Sequence, residues 1–88
     1  MLELDKVKLA LRISHNKLDA EILDVIESAA LEMKRAGVPS DYIGRHESNM
    51  CQLAYVKWYY ATEEKAKENY FQSFQYQLDC LRKSQLSS

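Results

Sequence analysis

Eighty-eight residues set the scale of one domain, and 47% hydrophobic with 28% charged residues places the chain among globular rather than disordered proteins. Its charges nearly cancel, 12 basic against 13 acidic for a formal net charge of -1. That disfavours nucleic acid as the main partner, because displacing the counterions of a duplex needs a basic surface. Two glycines and one proline are few; turns recruit such residues, so their scarcity favours long helices with few connections.

The sequence has no apolar run of about 18 residues, so no membrane span or membrane partner is expected. The opening Met1-Leu2-Glu3-Leu4-Asp5 lacks the basic-then-apolar order of a signal peptide. Cys51 and Cys80 show no metal-like spacing and read as reduced thiols of a cytosolic protein.

Taken in chain order, the first expected helix covers 5–13. Asp5 is its cap, Leu4, Val7, Ala10 and Leu11 form its apolar stripe, and Lys8 and Arg12 lie on its outside. Ser14-His15-Asn16 interrupts it. Asn16 is then a cap for helix two, with Asp19 in the first turn, where a carboxylate suits the positive helix end. Leu18, Ile22, Val25, Ala29 and Met33 step along one face, widened by Ile26 and Ala30, and Glu21, Asp24, Ser28 and Glu32 form the wet face. Lys34 and Arg35 suit the negative end, Gly37 supplies a left-handed stop, and Pro39 follows.

Residues 38–48 form the main connection, in which Ser40 starts a short turn of helix. Ser48 or Asn49 opens helix three over 49–61, apolar around most of its circumference and therefore expected to be central. Thr62 caps helix four, with Glu63 and Glu64 in its first turn. Phe71, Phe74, Leu78 and Leu81 make its seam, Arg82-Lys83 its close, and 84–88 a polar tail. The expected fold is all-α: a small bundle of four helices with an extra turn in the 38–48 connection, one domain over 1–83.

No motif for chemistry is complete. His46-Glu47 resembles the start of a zinc-protease motif, but Met50 stands where the second histidine is required. His15 reads as an exposed boundary residue. Gly37 and Gly44 stand alone and cannot form a phosphate-cradling loop, and the serines lack a nucleophile-elbow pattern. Cys51 and Cys80 suit small packed residues better than nucleophiles. No enzyme, metal or cofactor is expected.

Six tyrosines, two phenylalanines and one tryptophan must be placed in a domain with a small core. Tyr55, Trp58 and Tyr59 sit at i, i+3 and i+4, while Tyr59 and Tyr60 diverge. Core packing accounts for some of these rings, and the remainder suit exposed patches of the kind enriched at protein interfaces. A base-stacking platform would interleave basic residues, and helix three offers only Lys57 within its aromatic cluster.

The order of these segments carries a resemblance. Leu4-Asp5-Lys6-Val7-Lys8-Leu9-Ala10-Leu11-Arg12-Ile13, a polar break, Leu18-Asp19-Ala20-Glu21-Ile22-Leu23 ending at Gly37, Leu53-Ala54-Tyr55-Val56-Lys57-Trp58-Tyr59-Tyr60, and Tyr70-Phe71-Gln72-Ser73-Phe74-Gln75-Tyr76-Gln77-Leu78 together resemble the phage head–tail connector family. These are head-completion or adaptor proteins encoded beside the portal and capsid genes of tailed phages and prophages.

The resemblance spans nearly the whole chain apart from 38–48. It implies a four-helix structural subunit that assembles into a ring, commonly dodecameric, beneath the portal protein. Such a ring extends the DNA channel, with DNA as cargo only, and docks the next head-completion or tail protein. The implied location is the virion head–tail junction, after assembly in the bacterial cytoplasm. Contacts are expected on the outer aromatic face of helices three and four, at Trp58, Tyr60, Tyr70 and Tyr76, and at Arg82 and Lys83. The alternative is a small helical DNA-binding regulator, suggested by the helix-break-helix over 5–36, although Glu21, Asp24 and Glu32 oppose it.

Overall fold

The computed structural model describes residues 2–43 and 45–86, and the side chains of these except 46, 47 and 83–86. The fold is a small all-α bundle. Its helices are α1 (Leu4–Leu11), α2 (Asp19–Arg35), α3 (His46–Tyr60) and α4 (Glu64–Leu86), with a single 3-10 turn over Ser40–Tyr42 in the connection after α2. The extra turn lies where the sequence places it.

Helix α1 stops earlier than expected, because Arg12 adopts the left-handed conformation at φ 59. The Arg12 N–H donates to Leu9 O at 3.1 Å and the Ile13 N–H to Lys8 O at 2.9 Å. This paired closure is the Schellman arrangement, which satisfies the last carbonyls and turns the chain back. The turn returns Ile13 to the apolar cluster around Val7. The N-cap position is Glu3 rather than Asp5, and no side chain caps it.

Lys8 departs from its expected place on the outside. It is half-buried, its ammonium 2.8 Å from Asn16 Oδ1 and 2.8 Å from Asp19 Oδ1. Asn16 does not cap α2, which begins at Asp19 after the uncapped Leu18. At the other end of α2 the closure follows expectation. Gly37 has φ 103, its N–H donates to Lys34 O at 3.1 Å, and the Val38 N–H donates to Met33 O at 3.0 Å. The flanking Met33 and Val38 are both buried in one cluster, as this motif favours.

The stripe of α2 is buried as the periodicity indicates, with Ile22, Val25, Ile26, Ala29, Ala30 and Met33 all inside. Helix α3 opens three residues before the expected 49. The Asn49 N–H reaches Arg45 O at 2.9 Å, and Ser48 Oγ donates to the same carbonyl at 2.9 Å. The Ser48 hydroxyl thus reinforces a turn already formed instead of starting one. Helix α4 begins at Glu64, past the expected cap Thr62. It runs through Arg82-Lys83 to Leu86, so most of the expected tail is helical and Ser87-Ser88 lie outside the described residues.

Helix α3 packs against all three other helices. Its Cys51 and Ala54 meet Met33, Phe74 and Leu81 in one cluster, and its Val56 meets Val7, Ile22, Val25 and Ile26 in another. Tyr55 borders both.

A non-glycine residue at left-handed φ is strained by its Cβ, at about 1 kcal/mol or more. Arg12→Gly is therefore expected to raise stability by about 1 kcal/mol in urea denaturation. An unchanged or lowered midpoint would show that Arg12 carries no net strain in this conformation.

Candidate interaction surface

The aromatic side chains of α3 and α4 divide into two groups. Tyr55, Trp58, Phe71 and Phe74 form a chain of rings across the α3–α4 interface, with centroid separations of 5.4 Å for Tyr55–Trp58, 5.3 Å for Tyr55–Phe74 and 5.6 Å for Trp58–Phe71. Offset and edge contacts at such distances are favourable beyond the area they bury. Phe74 is buried, whereas Phe71 remains 39% exposed. This cluster therefore opens at its outer end into a groove beside Glu32 and Arg35 of α2. Burial, and then the charge of Glu32 and the neighbouring Tyr59, raise the pKa of Tyr55 above the usual tyrosine value.

The second group lies where the end of α1 approaches α3 and α4. Tyr60 and Tyr70 line a groove there with Leu11, Arg12, Ile13 and Lys57. Lys57 Nζ sits 5.9 Å from the centre of the Tyr70 ring, within reach of a cation–π attraction. The hydroxyl of Tyr60 is buried and makes no well-aligned hydrogen bond. That desolvation, followed by the negative charge and close approach of Glu21, pushes its pKa up to about 12. The groove continues along α3 and α4, where Lys57 and Tyr70 also border Met50, Leu53, Ser73 and Gln77.

The six residues expected to make contacts do not form one patch. Tyr60 and Tyr70 share a groove, while Trp58 is half-buried among rings in the other. Tyr76 is 70% exposed on α4. Arg82 is exposed, with Asp79 at 3.8 Å as its i−3 partner. The side chain of Lys83 lies outside the described residues, as do those of His46 and Glu47 and the whole of Gly44.

Large apolar side chains that the aromatic pattern did not flag are exposed as well: Leu9, Leu23, Leu31 and Met50. Their signal in the sequence is negative. Leu9 lies off the α1 stripe, and Leu23 and Leu31 lie off the α2 stripe. Met50 belongs to a helix whose apolar residues point in most directions, so no single stripe marks which of them is left outside.

Among the described residues no group of three His, Cys, Asp or Glu side chains is arranged to hold a metal ion, and no helix is long and apolar enough to cross a membrane. Cys51 is buried, with Sγ 3.7 Å from Phe74 O, and burial raises its pKa to about 12; Cys80 is exposed. No protein-family model matches the chain, and no curated protein and no solved structure matches it either.

Phe74→Ala removes a buried ring from the α3–α4 cluster and is expected to destabilise by about 3–4 kcal/mol, whereas the exposed Tyr76→Ala stays within about 0.5 kcal/mol of the parent. Thermal melts of both variants would check the contrast.

Cys51 and Tyr60 hold their protons more tightly folded than unfolded, so their contribution is complete below the unfolded values of 9.0 and 10.0 and is lost as pH climbs toward about 12. Stability should fall from pH 9 upward, with less of a fall in Cys51→Ala. In thiol titration of the native protein near neutral pH, Cys80 should react at once and Cys51 only on unfolding.

Proposed function

We propose that this protein is a non-catalytic structural subunit of a phage or prophage head–tail connector, assembling as a ring beneath the portal. The observation that carries the reading is the amount of large apolar and aromatic surface left on so small a bundle. Leu9, Leu23, Leu31, Met50, Tyr59, Tyr70, Phe71 and Tyr76 are all exposed. Part of it is grouped, Leu23 with Leu31 on α2 and Met50 with Tyr70 along one groove, and grouped apolar surface on a small domain marks contact with other proteins. The ordered segment resemblance supplies the identity of the assembly, and an all-α bundle of four helices is the fold that this resemblance implies.

In this reading the ring extends the channel through which DNA passes and offers a platform to the next head-completion or tail protein. DNA is cargo and not a sequence-specific ligand. The subunit works at the head–tail junction of the virion after assembly in the cytoplasm of the bacterial host. The DNA-binding regulator gains no support from the outward side of α2, where Glu21, Asp24 and Glu27 are exposed.

Light scattering on size-exclusion fractions of the protein, alone and mixed with portal, tests the reading. Co-elution as a ring on portal is expected. A strict monomer that ignores portal at every concentration and salt would sink it, and a salt-dependent shift of duplex DNA would favour the regulator instead.

A further inference from the structure

Two faces of the bundle stand out by complementary chemistry. On the outward side of α2, Leu23 is 50% and Leu31 is 52% exposed, with the exposed Glu27 four residues from each. Residues at i, i+4 and i+8 share a helix face, so these three form a strip about 12 Å long. Asp24 is exposed beside it, and no lysine or arginine occurs between Asp19 and Leu31. The strip is therefore apolar at its ends and acidic around them.

The other face is the groove along α3 and α4. Met50 is 55% exposed at one end, Tyr70 borders the middle, and Arg12 stands at the end formed by α1. Lys57 and Arg12 line this groove, no carboxylate does, and neither cation is in an ion pair among the described residues. Glu21 of the same chain approaches the Tyr60 hydroxyl at that end without lining the groove. From Met50 to Tyr60 the groove follows α3 for about 15 Å, enough for the α2 strip. Arg12 is also the residue that holds a left-handed backbone where glycine would be unstrained.

We infer that a second copy of this chain seats the outward side of its α2 in this groove, with Leu31 against Met50 and Tyr70 and with Glu27 and Asp24 toward Lys57 and Arg12. The two faces are different and lie on different helices, so each copy offers one of each. Such a head-to-tail contact repeats until it closes into a ring or runs on as a filament. The inference deepens the ring reading and rests on it for the expectation of closure.

The test uses the full chain under reducing conditions, because Cys80 is exposed. Sedimentation velocity is followed up to about 1 mM, where weak contacts still register. The parent mass should rise with concentration, and less steeply as salt screens the charges. Leu31→Arg and Met50→Arg should each weaken association at least about tenfold while keeping the parent's circular dichroism and melting midpoint. Ser73→Arg, also at the groove, replaces Met50→Arg if that variant melts early.

Mixed together, the two variants should form a one-to-one dimer that grows no further, since one retains the groove and the other the strip. A mixture that stays monomeric, or single variants that assemble like the parent, would overturn the pairing. A parent chain that is monomeric at the highest concentration also overturns it. Binding to portal would in that case still support the connector reading through other contacts.

Discussion

Helix α3 has to serve as the inside of the whole molecule. A chain of this length buries only about 60–65% of the surface that its unfolded form exposes, so it cannot give each pair of helices a separate core. The solution is one helix covered on most sides, with Cys51 and Ala54 turned toward α4 and the end of α2, and Val56 toward α1 and the start of α2. Gln52, fully buried in the same helix, donates from Nε2 to Ile26 O at 2.8 Å and so ties the register of α3 to that of α2. Its Oε1 has no hydrogen-bond partner. A polar group left in that state opposes stability, which fits a role in specifying one alignment of the two helices rather than in adding to the fold's strength.

Concentrating the core around α3 leaves the outer sides of α2 and α4 unshielded. Rings that begin in the α3–α4 interface continue outward, from the buried Phe74 to the half-exposed Phe71. The same geometry separates two surfaces that a sequence pattern merges. Trp58 lies beside Phe71 and opens toward α2, whereas Tyr60 and Tyr70 open toward the end of α1. The surface available to partners is thus a pair of grooves on either side of the α3–α4 hairpin, together with an acidic and apolar strip on α2.

Electrostatics is local here and not global. A net charge of -1 hides an α2 that is acidic through its first three turns and a groove whose lining charges, Lys57 and Arg12, are both positive. Separated charge of opposite sign on one small molecule favours ordered contact between copies more than attraction to a uniformly charged partner. The Lys8–Asp19 pair at 2.8 Å has a different part. Partly shielded from water, it spans the turn between α1 and α2.

The all-α class, the order and number of the helices, the buried face of α2 and the glycine stop at Gly37 were legible in the residues themselves. Each depends on local chemistry: a 3.6-residue apolar period, a scarcity of turn formers, a residue free to take positive φ. Helix ends at Leu11, Asp19, His46 and Leu86 were not legible, because tertiary partners decided them. Asn16 bonds Lys8 and stands two residues before the N-cap position Leu18, Arg12 accepted strain so that Ile13 could return to the core, and Ser48 bonded a turn that was already formed. Four of the expected contact residues, Trp58, Tyr60, Tyr70 and Tyr76, were chosen by ring chemistry, and ring chemistry does not say which way a ring faces. Only the packing of α3 between α2 and α4 decided that Trp58 would be half-covered, that Tyr70 and Lys57 would border one groove, and that Met50 would face water.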